Sequence, residues 1–135
     1  ARAPFLASHS NCNAVYRHPR SLTDRQIDCI ITRGGLIGIN LYRAFLGRPG
    51  SAGFAAAHRH IRHVLERGGE HVLALGSDFD GCEREPCFAG VEKLEAFQDY
   101  LLANGMPQEQ ADALFYKNAE KFFQTLLQPQ TDMLK

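Results

Sequence analysis

Two carboxylates, Asp78 and Asp80, stand two residues apart at the end of the run His71-Val-Leu-Ala-Leu-Gly-Ser-Asp-Phe-Asp-Gly81. An acid in such a place can take a proton from an attacking water and return it to a leaving group. Val72 to Leu75 is short and apolar without interruption, which reads as a strand buried on both faces of a parallel sheet. Gly76-Ser77 stops it, so both acids fall at the C-terminal end of a strand, where α/β barrels carry their chemistry. The plainer reading has them bonding the backbone of their own turn, as Asp often does. Spacing alone does not choose between the two.

His9 meets the same positional condition. It follows Pro4-Phe-Leu-Ala7, which reads as a short buried strand, and opens the polar stretch to Asn11. A neutral imidazole there can ligate zinc. A lone strand-end histidine can equally be a hydrogen-bonding residue, but His9 and Asp78 at equivalent ends of two strands favour chemistry. Arg20 lies eleven residues beyond His9, in the loop on that rim. Its planar fork suits a substrate carboxylate. Arg17 competes for the task, and a surface arginine that caps a helix or pairs with an Asp is the alternative for either.

The other histidines point elsewhere. His58, His60 and His63 share one predicted helix, and His60 with His63 at i and i+3 could hold a metal. That helix packs outside the sheet, and no HExxH pattern accompanies it, so a structural or solvent-facing part is expected for all three. His71 opens a strand at its N-terminal end, the stability face of a barrel. His18, before Pro19, is undecided, with structure favoured.

The elements that must position these residues alternate. Thr23-Asp-Arg-Gln26 fits a capping box, followed by Ile27, Ile30 and Ile31 on one helical face and by Gly34-Gly35 as a stop. Leu36 to Tyr42 reads as a second strand, 43–50 as a loop, and about 52–67 as a helix with Ala57, Ile61, Val64 and Leu65 inward. A helix over about 91–103 follows the acids, with Leu94, Phe97 and Leu101 inward. Pro107 suits the start of the next helix. The stripe Ala111, Leu114, Phe115, Ala119, Phe122, Phe123 and Leu126 is best divided into two helices, with Asn118 as the second N-cap. Strands alternating with amphipathic helices imply βα units and a parallel sheet, either small and open or the C-terminal part of a barrel.

The apolar fraction of 44% and charged fraction of 22% describe a globular chain, and its 135 residues suffice for one core. Fifteen basic residues balance fifteen acidic ones with no cationic cluster, so nucleic acid is not an expected partner. No apolar run reaches the ~20 residues of a membrane-spanning helix. The start Ala-Arg-Ala-Pro, without Met or a signal-peptide pattern, reads as the middle of a longer polypeptide whose true N-terminus is out of view. The cytoplasm is the favoured location. Four cysteines lack CxxC spacing, which argues against structural zinc. Cys29 reads as a core residue, and Cys82 and Cys87 share a loop in which pairing is open.

The motifs Pro4-Phe-Leu-Ala-Ser-His-Ser-Asn11, His18-Pro-Arg20-Ser-Leu-Thr-Asp24 and Gly34-Gly-Leu-Ile-Gly-Ile-Asn-Leu-Tyr42 resemble the membrane (renal) dipeptidase family. So do His60-Ile-Arg-His63 and, most specifically, Ala74-Leu-Gly-Ser-Asp-Phe-Asp-Gly81, all in the family's order and spacing. The resemblance runs to about Asn118 and covers roughly the last third to two fifths of that family's (β/α)8 TIM barrel. It implies that residues 1–128 are the C-terminal three βα units of the barrel plus C-terminal helices, with 129–135 a tail.

It also implies site residues. His9 matches a zinc-ligating histidine of a two-zinc centre. Arg20 matches the arginine that holds the carboxylate of the dipeptide's C-terminal residue. Asp78 matches the acid near the bridging water that acts as proton shuttle and also binds substrate, and Asp80 is left as a loop support. The remaining zinc ligands of the family, a His-x-Asp pair, a bridging Glu and a further His, lie earlier in the barrel and have no counterpart here. Tyr116-Lys-Asn118 departs from the family's Gly-Gly-Asn. The implied reaction is metal-assisted hydrolysis of dipeptides by an intact parent protein, with the rest of the barrel as partner and a homodimer open. Rival readings are a non-catalytic α/β module, inactive by itself, and a related two-metal amidohydrolase with another substrate.

Overall fold

The structure, a computed structural model, describes residues 5–48, 50, 53–76, 88 and 91–127. Three parallel strands, β1 (Leu6–Ala7), β2 (Leu36–Ile39) and β3 (Leu73–Leu75), form a sheet in the order β1-β2-β3. Leu6 and Ala7 stand opposite Leu36 and Ile37, while Ile37, Gly38 and Ile39 stand opposite Leu73, Ala74 and Leu75. All four β2 residues are buried, as an apolar run without alternation requires. β1 differs from expectation. Phe5 and Leu6 are 40% and 42% exposed, because β1 is an edge strand with no neighbour on its outer side among the described residues.

The crossover β1–β2 is α1 (Asp24–Thr32), and its start has a local cause. Thr23 Oγ1 accepts from Gln26 N–H at 3.2 Å while Gln26 Oε1 accepts from Thr23 N–H at 2.9 Å, which completes the predicted capping box. Ile27 and Ile30 are fully buried, and Cys29 is half-buried rather than part of the core. Gly34 ends the turn at φ +65°, in the left-handed region. The second strand is shorter than expected and stops at Ile39. The segment read as a loop over 43–50 contains a four-residue helix, α2 (Arg43–Leu46). Tyr42 belongs to its start, and its ring meets Phe45 edge-on at 4.8 Å.

The second crossover is α3 (Phe54–Glu66), which buries Ala56, Ala57, His60, Ile61 and Val64; Leu65 is only partly covered. α3 is bonded to α1 by charge. Arg67 donates in a fork to Asp28 at 2.8 and 2.6 Å and to Asp24 at 3.3 Å, and His63 Nε2 lies 2.6 Å from Asp24. The Arg67 bond holds the Asp28 carboxyl below its ordinary range. After a 3-10 turn (Val91–Lys93), α4 (Leu94–Ala103) packs on α3 through an aromatic cluster. Phe54, Phe88 and Phe97 lie 5.1 to 5.2 Å apart, centroid to centroid.

The chain then stays helical from α5 (Gln108–Asp112) through a π turn (Ala113–Lys117) to α6 (Asn118–Leu127). The expected break at Asn118 is absent. Asn118 has helical torsions, φ −64° and ψ −45°, and its side chain does not cap the helix. It donates instead to Glu70 O at 2.7 Å and Leu73 O at 2.9 Å, which anchors the helix on the entry to β3. Asn118 and Phe122 therefore face inward, and Phe123 and Leu126 are 44% and 52% exposed. Among the described residues no helix is long and apolar enough to cross a membrane.

Gly38 and Gly76 shape the C-terminal end of the sheet. The backbone at Ser8 folds across both, so a methyl group on either would collide with the Ser8 carbonyl. Gly34, by contrast, has open space around it and needs only its positive φ. Gly76→Ala should therefore lower stability by about 3 kcal/mol or more, the upper end of overpacking costs, and Gly34→Ala by about 1–2 kcal/mol. Denaturant unfolding of the two variants checks this, and equal losses would contradict it.

Candidate strand-end site

His9 stands just beyond β1, on the exposed rim where the three strands end. Its Nδ1 lies 2.6 Å from Ser8 Oγ. With Nδ1–H donating to the hydroxyl, Nε2 keeps its lone pair available to a ligand. The backbone under the ring is held by Gly38 and Gly76 and by Ser10 N–H, which donates to Gly38 O at 2.8 Å. The sequence placed His9 at a strand end; the two glycines explain how its backbone turns there.

A pair of buried asparagines continues the sheet where the strands stop. Asn11 Nδ2 donates to Asn40 O at 2.8 Å, and Asn40 N–H donates to Asn11 Oδ1 at 2.8 Å. Asn40 Nδ2 reaches His9 O at 3.3 Å, and Asn40 Oδ1 accepts from Tyr42 N–H at 2.7 Å. Both are essentially sealed from solvent, so each amide group must be satisfied inside the protein. Sequence reading missed this clasp. The available signal was Asn40, directly after the apolar run of β2, with Asn11 four residues past the end of β1.

The loop from 13 to 21 is closed at its base by a bridge between Cys12 and Leu22. Asn13 N–H donates to Leu22 O at 2.8 Å, and Leu22 N–H donates to Asn11 O at 2.7 Å. Inside it, His18 Nδ1 accepts from Arg20 N–H at 3.1 Å, and the His18 ring packs 4.4 Å from Phe45. The Arg20 guanidinium lies over the same Phe45 ring, 5.8 Å from its centroid, a cation–π contact. Phe45 belongs to the helix that sequence reading took for loop. Arg17 is placed differently, in a cavity with Arg48 and Arg59.

His60 is fully buried and holds that loop from the side. Its Nδ1 accepts from Cys12 N–H at 3.0 Å, and its Nε2 donates to Leu46 O at 3.0 Å. Both partners demand the neutral Nε2–H tautomer. Burial pushes its pKa down to about 4, against a smaller opposing pull from the Leu46 carbonyl. The Cys12 thiol donates to His60 O at 3.4 Å, and burial raises its pKa to about 12, so it stays protonated. The other three histidines each have a neighbour of their own. His63 faces Asp24, His58 meets Tyr100 edge-on at 6.0 Å, and His71 sits beside Glu70 at 3.2 Å.

Asp78 and Asp80, with Cys82 and Cys87, lie outside the described residues, as does the tail from 129. Among the described residues, no group of three or more His, Cys, Asp or Glu could hold a metal ion. Of the residues expected to do chemistry, the described ones are therefore His9, just beyond β1, and Arg20, in the loop braced on Phe45.

Comparison with known proteins bears on this arrangement. The sequence model described as membrane dipeptidase, peptidase family M19, matches residues 1–133. An uncharacterized protein from the pqqA 5′ region of Klebsiella pneumoniae is 36% identical over 122 residues, 87% of this chain and 45% of its own length. An uncharacterized dipeptidase of Schizosaccharomyces pombe is 33% identical over 102 residues, 74% of this chain and 24% of its own. Among solved structures, a dipeptidase described as an M19 metallopeptidase superposes with a TM-score of 0.86 at 34% identity, covering 92% of this chain and 38% of that one. A Rhodobacter sphaeroides metallopeptidase, liganded with a phosphinate mimic of the dipeptide L-Ala-D-Ala, gives 0.85 at 34%, covering 90% and 36%. The chain spans less than half the length of each of these relatives.

The buried imidazole gives a pH test. A folded pKa of about 4, below the ordinary 6.5, means that the unfolded state binds the extra proton first. The stability His60 contributes is complete above pH 6.5 and is lost as pH falls towards 4, by about 3 kcal/mol on the linkage relation. Its 15N imidazole shifts should remain those of the neutral Nε2–H form at pH 5.5. A ring protonated at that pH would contradict the assignment.

Proposed function

The chain belongs to the membrane dipeptidase family, peptidase family M19, and we propose that it forms part of an enzyme that hydrolyses dipeptides. One observation carries the reading: the family's pattern matches this chain along nearly its whole length, including the segment after β1 that holds His9 and Arg20. The fold agrees, since parallel βα units of this kind form part of the TIM-barrel structures of family members.

Zinc is the metal this family implies, and His9 fits it as far as one donor can. Its imidazole is exposed at a strand end, and Ser8 occupies Nδ1 so that Nε2 can ligate. When bound, zinc supplies a Lewis acid for the peptide carbonyl and lowers the pKa of water. The other ligands come from parts of the protein that precede this chain in the barrel. Phe5 and Leu6, exposed on the edge strand, are suited to meet that preceding part.

Arg20 binds the free carboxylate at the C-terminal end of the dipeptide. Its loop is braced by the Cys12–Leu22 bridge and its guanidinium by the Phe45 ring, so the fork is held in place before substrate arrives. A recognised carboxylate one residue from the scissile bond favours dipeptides over longer peptides. Asp78 takes a proton from the attacking water and passes it to the nitrogen of the leaving amine as the peptide bond breaks. Asp80 supports the loop.

In the full-length protein with zinc, Asp78→Asn should lower kcat by about 10²- to 10⁴-fold, the range for a positioned acid/base. Turnover within a few-fold of wild type would remove the assignment. Arg20→Gln should raise KM by about 10- to 100-fold, the loss of one charge-assisted contact. An unchanged KM for dipeptides would give the carboxylate to another residue. The 135-residue chain alone should neither hydrolyse dipeptides nor hold two zinc ions; two tightly bound zinc ions per chain would overturn that.

A further inference from the structure

Arg17 after β1, Arg48 after α2 and Arg59 on α3 line one cavity of about 480 Å³, with Val15, Tyr16 and Leu46 along its apolar wall. Two cations of the helical layer have carboxylate partners: Arg67 pairs with Asp24 and Asp28, and Arg62 stands 4.0 Å from Glu66. Among the described residues, Arg17, Arg48 and Arg59 have no carboxylate partner, and no acidic side chain lines the cavity. The chain as a whole is balanced, fifteen cations against fifteen anions, so this excess is local.

Three like charges around one space repel one another, and an anion placed among them turns that repulsion into attraction. Guanidinium forks match the paired oxygens of phosphate and carboxylate groups. The volume lies within the ~300–1,000 Å³ usual for small-molecule sites, and the apolar wall suits a carbon framework. The backbone of that wall is fixed on both sides. Tyr16 N–H donates to Cys12 O at 3.2 Å, and Leu46 O accepts from His60 at 3.0 Å. We propose that this cavity binds a small polyanion bearing phosphate or carboxylate groups. Such a ligand bridges Tyr16–Arg17 to Leu46–Arg48, the two segments between which Arg20 meets Phe45. Arg17 thereby has a task of its own, apart from the carboxylate assigned to Arg20.

The test is calorimetric titration of the metal-free full-length protein with inorganic phosphate and, separately, with citrate. Metal-free protein removes the catalytic metal as a competing anion site, and no turnover is needed, so the result stands apart from the dipeptidase reading. At least one anion should bind at one site per chain with a dissociation constant of about 1 mM or tighter. Arg48→Gln and Arg59→Gln should each weaken binding by about tenfold, the worth of one charge-assisted contact, and Arg20→Gln should leave it unchanged. Phosphate alone or citrate alone assigns the class of ligand. Binding of neither, or full retention in either cavity variant, overturns the proposal. At saturation, amide exchange across 15–21 should slow; unchanged exchange there refutes the bridging.

Discussion

A buried imidazole that must stay neutral ties the outer helix to the site. His60 accepts from Cys12 N–H and donates to Leu46 O, so one side chain of α3 holds both segments. Cys12 is the base of the loop that carries Arg20, and Leu46 follows the ring on which Arg20 rests. Protonation would set a ring N–H against the Cys12 N–H and leave that backbone donor unpaired, at a cost of about 1–3 kcal/mol for the orphaned group. Burial prevents this by holding the pKa near 4.

The rim above depends on a second device, the absence of side chains. Gly38 and Gly76 let the Ser8–His9 backbone cross the strand ends, and the Asn11–Asn40 clasp extends the β1–β2 pairing with side-chain amides after the strands have ended. The result is a rim whose backbone is bonded at Ser10, Asn40 and Gly76 while His9 is left exposed. Chemistry at the ends of parallel strands has this requirement in general: a rigid scaffold below and free functional groups above.

The amino-acid sequence made local features legible and long-range ones obscure. The capping box at Thr23 and the stop at Gly34 depend on neighbours within a few residues and stand where those residues indicate, and each of the three apolar runs forms a strand, β2 shorter than its run. His9 at a strand end followed from the same logic. The continuous helix through Asn118 did not, because the side chain that would cap a helix is bonded to carbonyls 45 and 48 residues away. The exposure of Phe5 and Leu6 reflects what lies beside an edge strand, which no local pattern states. Arg17 and Arg20 were chemically equivalent on paper. Phe45 distinguishes them, from a helix too short for periodicity to reveal.

His9 and Arg20 are the centre of the proposed dipeptide-cleaving site. A crystal structure of the full-length protein with zinc and a phosphinate dipeptide mimic tests that most directly. It should show His9 Nε2 at about 2.0–2.1 Å from a zinc ion and the Arg20 fork on the mimic's terminal carboxylate. A metal centre that omits His9, or a carboxylate held by another cation, would contradict it.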